Sequence, residues 1–259
     1  MSNYGLVSII TPAYNTGKFI AKTIESVQAQ TYQYWEMIIV DDCSTDDTID
    51  IAYNFQKSDK RIKVFQNPSN MGAATSRNTA LRNAKGRWIA FLDSDDLWKP
   101  TKLEKQLRFM IEHGYSFSCT ERDVINEQSV PTGQFITGPE RVTKWGMYRY
   151  CWIGCLTVIY DAKVAGLIQI PDLKKNNDYA IWLKVIKKCD CYLLKENLAS
   201  YRQRKGSISH DNILKLIKSH YTLWRVSEDR NPISACIFTF QNLVFGIIKK
   251  LEYIKKYDT

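Results

Sequence analysis

The chain predicts an α/β fold: a mostly parallel sheet flanked by helices, followed by a helical C-terminal extension. Three patterns carry this. Over the first hundred residues, short apolar strand candidates alternate with segments of helical periodicity, which implies parallel pairing through right-handed crossovers. The strand candidates are apolar throughout, as strands covered on both faces are. Polar residues gather just after three of them, where open α/β sheets bind ligands.

Residues 7–11 read as the first strand. A helix follows, with Ile20, Ile24 and Val27 spaced i, i+4, i+7 on one face. Residues 36–40 form the second strand and end at Asp41 and Asp42. Thr45 to Thr48 open the next helix, placing Asp46 and Asp47 where the helix dipole favours acids. Residues 62–66 are the third strand. Asn70, Met71 and Gly72 turn the chain into a helix over 73–84, Gly86 reads as its cap, and 88–92 form the fourth strand. The regularity then loosens. A helix runs to residue 113, strands fall at 116–120, 156–160, 191–194 and 199–201, and 124–141 is loop-rich. A helix spans 176–188, with Tyr179, Trp182, Leu183 and Ile186 on its apolar side, and the tail from 212 is helical to the end. The expected organisation is a catalytic domain over 1–210 and a helical extension over 211–259.

A chain of 259 residues can bury a full core, and its 44% hydrophobic and 24% charged content is that of an ordinary globular protein. Residues 7–10 are too short for a signal-peptide core, and no run approaches the length of an uninterrupted apolar span. A cytoplasmic protein is expected, peripheral at the inner face of the cell membrane if the tail binds lipid. The seven cysteines are odd in number and match no zinc spacing with histidine. The net charge of +9 admits nucleic acid, an anionic membrane surface or a phosphate-bearing substrate. No stretch interleaves basic and aromatic residues, so nucleic acid is not expected.

The most informative segment is FLDSDDLW, residues 91–98. A buried strand ends in Asp93, Asp95 and Asp96, which repel one another and are costly to bury unpaired. A metal ion or a basic cluster is the usual answer, and hard oxygen ligands suit Mg²⁺ or Mn²⁺ shared with substrate phosphates. Asp95 or Asp96 capping the helix that starts near Pro100 is the plain alternative.

Five segments in order, SIITPAYN (8–15), IIVDDCSTDDT (38–48), NMGAATSRN (70–78), FLDSDDLW (91–98) and NDYAIWLKV (177–185), resemble glycosyltransferase family 2. That family is inverting and has the GT-A fold, a Rossmann-like, mostly parallel sheet. The resemblance covers roughly residues 6–209 and is nearest to bacterial enzymes of surface polysaccharides such as O-antigen, capsule or teichuronic acid.

The resemblance implies a donor site and a base. Thr11, Pro12, Ala13 and Tyr14 would wall the nucleotide base, and Asp42 would accept from the uracil imide. Asp93 and Asp95 resemble the DxD pair, with Asp95 the direct ligand of Mn²⁺ or Mg²⁺ and Asp93 nearer the ribose or a metal-bound water. Asp96 is either a second ligand or an acceptor contact. Arg77 would reach the phosphates or pair with these acids. Arg204 would meet the diphosphate, with Arg202 and Lys205 as competitors. Asp178 would be the general base, and the family's usual Glu-Asp is Asn177-Asp178 here. The implied reaction moves a sugar from a UDP-sugar to a saccharide acceptor carried on undecaprenyl diphosphate. A sugar-nucleotide nucleotidyltransferase and a non-catalytic basic binding module are the alternatives. The first normally has a Gly-rich basic loop after the first strand, which TPAYNTGK (11–18) matches poorly. The second leaves the acids unexplained.

In the tail, Ile237, Phe240, Val244, Ile247, Leu251 and Ile254 form a stripe at helical spacing, followed by Lys249, Lys250, Lys255 and Lys256. The stripe either packs on the domain or lies on an anionic membrane with lysines at the headgroups.

Overall fold

Seven alternating elements build one half of the sheet: β1 (Val7–Ala13), α1 (Ile20–Gln28), β2 (Trp35–Asp41), α2 (Thr48–Ser58), β3 (Ile62–Gln66), α3 (Ala73–Asn83) and β4 (Trp88–Phe91). The structure, a computed structural model, describes residues 4–204 and 212–256. β1 pairs in parallel with β2 on one side and β4 on the other, and β2 pairs with β3. The chain thus winds outward from β1 to β3 and returns to β4. The winding reverses between β1 and β4, and the loops beyond their carboxyl ends diverge into a crevice there. Every residue of β1 and β2 is buried, which explains why their sequences show no polar alternation.

The remaining elements are β5 (Leu97–Trp98), α4 (Lys102–His113), β6 (Phe117–Ile125), β7 (Pro131–Ile136), β8 (Arg141–Val142), α5 (Lys144–Arg149), β9 (Ile159–Asp161), α6 (Ala162–Ala165), α7 (Asn177–Val185), β10 (Cys191–Arg202), α8 (Ile213–Thr222), α9 (Pro232–Glu252) and β11 (Ile254–Lys256). β9 is antiparallel to β4 and carries the sheet on to β6, β7 and β11, while β10 lies parallel to β6.

Several expectations are corrected. The loop-rich segment holds β7 and β8, with Pro131 as first residue of its strand, where its missing N–H is tolerated. The two strands expected at 191–201 are one strand, β10, whose register shifts around Asn197 conceal its continuity. The tail is not helical to the end, since β11 adds antiparallel to β7. Asp95 and Asp96 do not cap α4, which starts after Thr101 with no side-chain cap. Gly86 does not cap α3, which ends at Asn83 with Ala84 as its C-cap. Its role is close approach, because a Cβ on Gly86 would stand 2.6 Å from the Ser8 nitrogen and 2.7 Å from the Leu6 oxygen.

The C-terminal helices share the core. Leu223, Trp224 and Ala235 pack in one cluster with Phe91, Tyr148 and Trp182. Asn242, buried on the inner face of α9, donates to the Tyr148 and Arg149 carbonyls at 3.1 and 2.7 Å and accepts from Trp224 Nε1 at 2.9 Å. A buried amide is stable only when bonded in this way, so Asn242 fixes the rotation of α9. That rotation leaves Ile237, Phe240, Ile247 and Leu251 exposed on the opposite face.

Candidate active site

The loops after β1, β2 and β4 are stitched to one another. The Asn15 backbone N–H donates to Ser44 Oγ, Thr45 N donates back to Asn15 Oδ1, and Thr16 Oγ1 donates to Ser94 Oγ at 3.1 Å. Asn15 and Cys43 have φ of 49° and 62°. A non-glycine residue in this region costs about 1–3 kcal/mol, which the surrounding bonds must hold in place. Of the four residues expected to wall the base, Thr11, Pro12 and Ala13 lie buried within β1, which runs two residues past its expected end. Thr11 is fully buried, and its hydroxyl has no hydrogen-bond partner within the described residues. Tyr14, 45% exposed, is the one of the four that solvent reaches broadly.

Asp42 follows the last residue of β2, with its carboxylate turned into the chain. Oδ1 accepts from Asn67 Nδ2 at 2.7 Å and Met71 N at 2.9 Å, and Oδ2 accepts from Gly72 N at 2.7 Å. These bonds fix the turn that launches α3. Gly72 itself has φ 87°, a conformation that favours glycine. Asp41 is likewise enclosed, accepting from Ser44 and Gln66.

Each acid after β4 has its own nitrogen partner. Asp93 Oδ1 accepts from Arg77 Nη2 at 2.5 Å, and its side chain is a third exposed. Asp95 Oδ2 meets Arg204 Nε at 2.8 Å. Asp96 is buried and accepts from the Arg202 backbone N–H at 2.7 Å. Burial first, then repulsion from Asp95 and Asp93, pushes the Asp96 carboxyl well above the usual carboxylate range. Burial also raises Asp95, against the pull of Arg204. Arg202 does not face the site. It is buried, with Nε on the Asp95 carbonyl and Nη1 on Asn126 O, Glu127 O and Ser129 Oγ. It is an anchor that ties β10 beneath the acids. Lys205 lies outside the described residues.

Arg77 is buried in α3 and spans two elements. While Nη2 holds Asp93, Nη1 donates to Asn177 Oδ1 at the start of α7. Cys155 Sγ lies 3.8 Å from Nη2. Asp178, the next residue, is partly exposed in the first turn of α7 and accepts from the Tyr179 N–H at 2.8 Å. Asp93 and the residue before the expected base are therefore held by the same guanidinium.

Among the described residues, no three or more His, Cys, Asp or Glu side chains gather into a metal cage. Asp93 and Asp95 carry the hard oxygen donors that a divalent cation takes. They offer carboxylate oxygens, each residue engaged by one arginine, beside a crevice where a diphosphate could complete the shell.

The sequence reading missed two neighbouring cations, Lys249 within electrostatic reach of Asp178 and Arg122 within reach of Asp96. Arg122 of β6 packs over Gly154, and Lys249 of α9 donates to the Cys151 carbonyl at 2.9 Å. Lys249 points inward, not to headgroups as the tail's composition implied. No local motif marks either residue.

The profile of the family described as Glycosyl transferase family 2 matches residues 8–165. Bacillus subtilis TuaG, named as a teichuronic acid biosynthesis glycosyltransferase, is 46% identical over 86% of this chain and 88% of its own length. Escherichia coli WfgD, named as UDP-Glc:alpha-D-GlcNAc-diphosphoundecaprenol beta-1,3-glucosyltransferase, is 38% identical over 96% of both chains. Among solved structures, Staphylococcus aureus TarS 1–349 in complex with UDP-GlcNAc aligns over 92% of this chain and 71% of that chain, with TM-score 0.70 and 24% identity. Pyrobaculum calidifontis PcManGT in complex with GDP-Man and Mn²⁺ aligns over 92% and 69%, with TM-score 0.65 and 14% identity.

Proposed function

The chain belongs to glycosyl transferase family 2, and from that premise we propose that it moves a hexose or N-acetylhexosamine from a UDP-sugar to a saccharide carried on undecaprenyl diphosphate, in bacterial surface polysaccharide synthesis. Its fold is GT-A, and its activity is that of a glycosyltransferase. The donor and acceptor classes rest on the names of its relatives. The observation that carries the reading is the Arg77 bridge. It joins Asp93 to the first turn of α7, which supports reading the two as parts of one site. A nucleotidyltransferase has no support in the family match.

In this reading Asp178 takes the proton of an acceptor hydroxyl as that oxygen attacks the anomeric carbon. The bond from that carbon to the diphosphate oxygen breaks, and UDP departs with the electron pair. One base and no covalent nucleophile give inversion, so an α-linked donor yields a β-glycoside. Asp93 and Asp95 would hold Mn²⁺ or Mg²⁺, which when bound neutralises negative charge on the diphosphate. Arg204, now on Asp95, carries a charge that can follow the diphosphate. Asp42 supports the donor slot by fixing the turn into α3, and Tyr14 flanks the base.

α9 is long and apolar enough to cross a membrane by length and composition. Asn242 and its partners hold its inner face on the core, so we read the exposed stripe as lying on the bilayer surface rather than spanning it. Ile213, Leu214 and Leu216 of α8 extend the apolar area, and Lys250, Lys255 and Lys256 supply charge that anionic headgroups would complement.

The test is a thermal-shift comparison of UDP, GDP, CDP and dTDP, with and without Mn²⁺, on the wild type and Asp95→Ala. A ligand bound only by the folded state raises its melting point. Stabilisation by UDP that grows with Mn²⁺ and is lost in Asp95→Ala is expected. Equal response to all four nucleotides, or none, would overturn the donor assignment.

A further inference from the structure

One loop, residues 150–155, has a cation seated at three successive points. Lys249 Nζ donates to the Cys151 carbonyl and lies 5.2 Å from the Tyr150 ring. The Arg122 guanidinium lies against Gly154 so closely that a Cβ there would stand 2.4 Å from Nη1. Arg77 reaches Cys155 Sγ at 3.8 Å. The three differ in how their charge is met. Arg77 is neutralised by Asp93. Lys249 has a carbonyl for a partner and no carboxylate, and Arg122 makes no side-chain hydrogen bond or ion pair, both among the described residues.

Among the described residues, neither of these neighbouring cations has a carboxylate bonded to it, although Asp96 lies within electrostatic reach of Arg122 and Asp178 of Lys249. The two cations repel each other, and burial followed by Arg122 lowers Lys249 to about 8. Asp178 lies within electrostatic reach of Lys249 and of Cys151 and Tyr150 between them. An anion beside the base would relieve the repulsion. Two clustered cations match a diphosphate better than a single carboxylate.

We propose that Arg122 and Lys249 form an acceptor-side anion subsite that binds the diphosphate of a lipid-linked acceptor and presents its sugar hydroxyl to Asp178. This deepens the reading of the site as a transferase acting on such an acceptor and rests on it. The placement on α9 supports a lipid source. Lys249 projects from the inner face of the helix whose outer face carries Ile247 and Leu251, exposed by 61% and 78%. A helix is about 10–12 Å across with its side chains. An acceptor whose tail lies in a bilayer against the outer face has its diphosphate within about that distance of Lys249.

The experiment titrates geranyl diphosphate into the full chain by calorimetry, with and without saturating UDP, and titrates UDP separately. Wild type, Arg122→Gln, Lys249→Gln and Gly154→Ala are compared. The last keeps both charges but forces the Arg122 guanidinium to move. Geranyl diphosphate is expected to bind the wild type alongside UDP, and each variant is expected to weaken it about 10-fold or more while UDP affinity holds. The proposal is overturned if geranyl diphosphate does not bind the wild type, if the variants bind it equally well, or if UDP affinity falls in parallel, which would assign the pair to the donor diphosphate. Failure of the wild type to bind UDP would count against the donor reading alone, since the titration without UDP still reads this pair.

Discussion

Arg77 and Asn177 meet across 100 residues of sequence, the arginine Nη1 donating to the asparagine Oδ1, while the same guanidinium holds Asp93 at 2.5 Å. Arginine suits this role because its planar fork serves two acceptors at once, which a lysine cannot reproduce. The position before the base usually carries glutamate in the resembled family. Here an amide oxygen takes the bond, leaving Asp93 as Arg77's only ion-pair partner among the described residues.

Arg77→Lys should therefore lower turnover about 10–100-fold while leaving UDP affinity within a few-fold. Asn177→Glu, which keeps an acceptor for Arg77 and restores the resembled family's carboxylate, should stay close to wild type, and Asn177→Leu should behave like Arg77→Lys. Steady-state kinetics with a UDP-sugar and a diphosphate-linked acceptor measure this. Equal activity in Asn177→Leu and wild type would show that the bridge does not position the base.

Asp178→Asn keeps the shape of the first turn of α7 and its bond to Tyr179 N, but removes the proton acceptor. Turnover should fall about 10²–10⁴-fold, the range of general-base catalysis, while the UDP-induced thermal shift is retained. Retained turnover would remove Asp178 from the mechanism.

Gly86→Ala should destabilise the protein by about 3 kcal/mol, because the new methyl group meets the backbone of β1 rather than a movable side chain. The denaturant midpoint reads this. A change below about 0.5 kcal/mol would mean that the Ser8–Gly86 contact relaxes freely.

His220, buried in α8 with its ring 6.5 Å from that of Tyr179, is lowered by burial from 6.5 to about 4. Its folded form is neutral where the unfolded chain is protonated. The unfolded state therefore binds the extra proton between these values, and stability falls as pH drops from about 6.5 toward 4. Between pH 7 and pH 5 this one group should cost about 2 kcal/mol. His220→Gln should flatten that part of the stability profile, measured by urea unfolding at each pH. An unchanged slope would place the acid sensitivity elsewhere.

The sequence by itself determined the first half of the sheet and the polar ends of its strands. β1 and β2 are buried on both faces, so selection for burial leaves apolar runs that no other element would carry. It also fixed the family, because five spaced motifs survive as local strings. It could not show β7, β8 and β11, whose residues are mostly half-buried or exposed and whose pairing is supplied by strands distant in the chain. It did not show that Arg202, read as a competitor for phosphate, is a buried anchor, or that Asp42 spends its carboxylate on the turn into α3. Nor did it show which way Lys249 points, since a lysine beside an apolar stripe reads the same whether its face meets solvent or protein. Those choices depend on which surfaces meet when α3, α7, α9 and β6 close around residues 150–155. Only the packed structure decides that, because burial and charge pairing depend on neighbours in space and not in sequence.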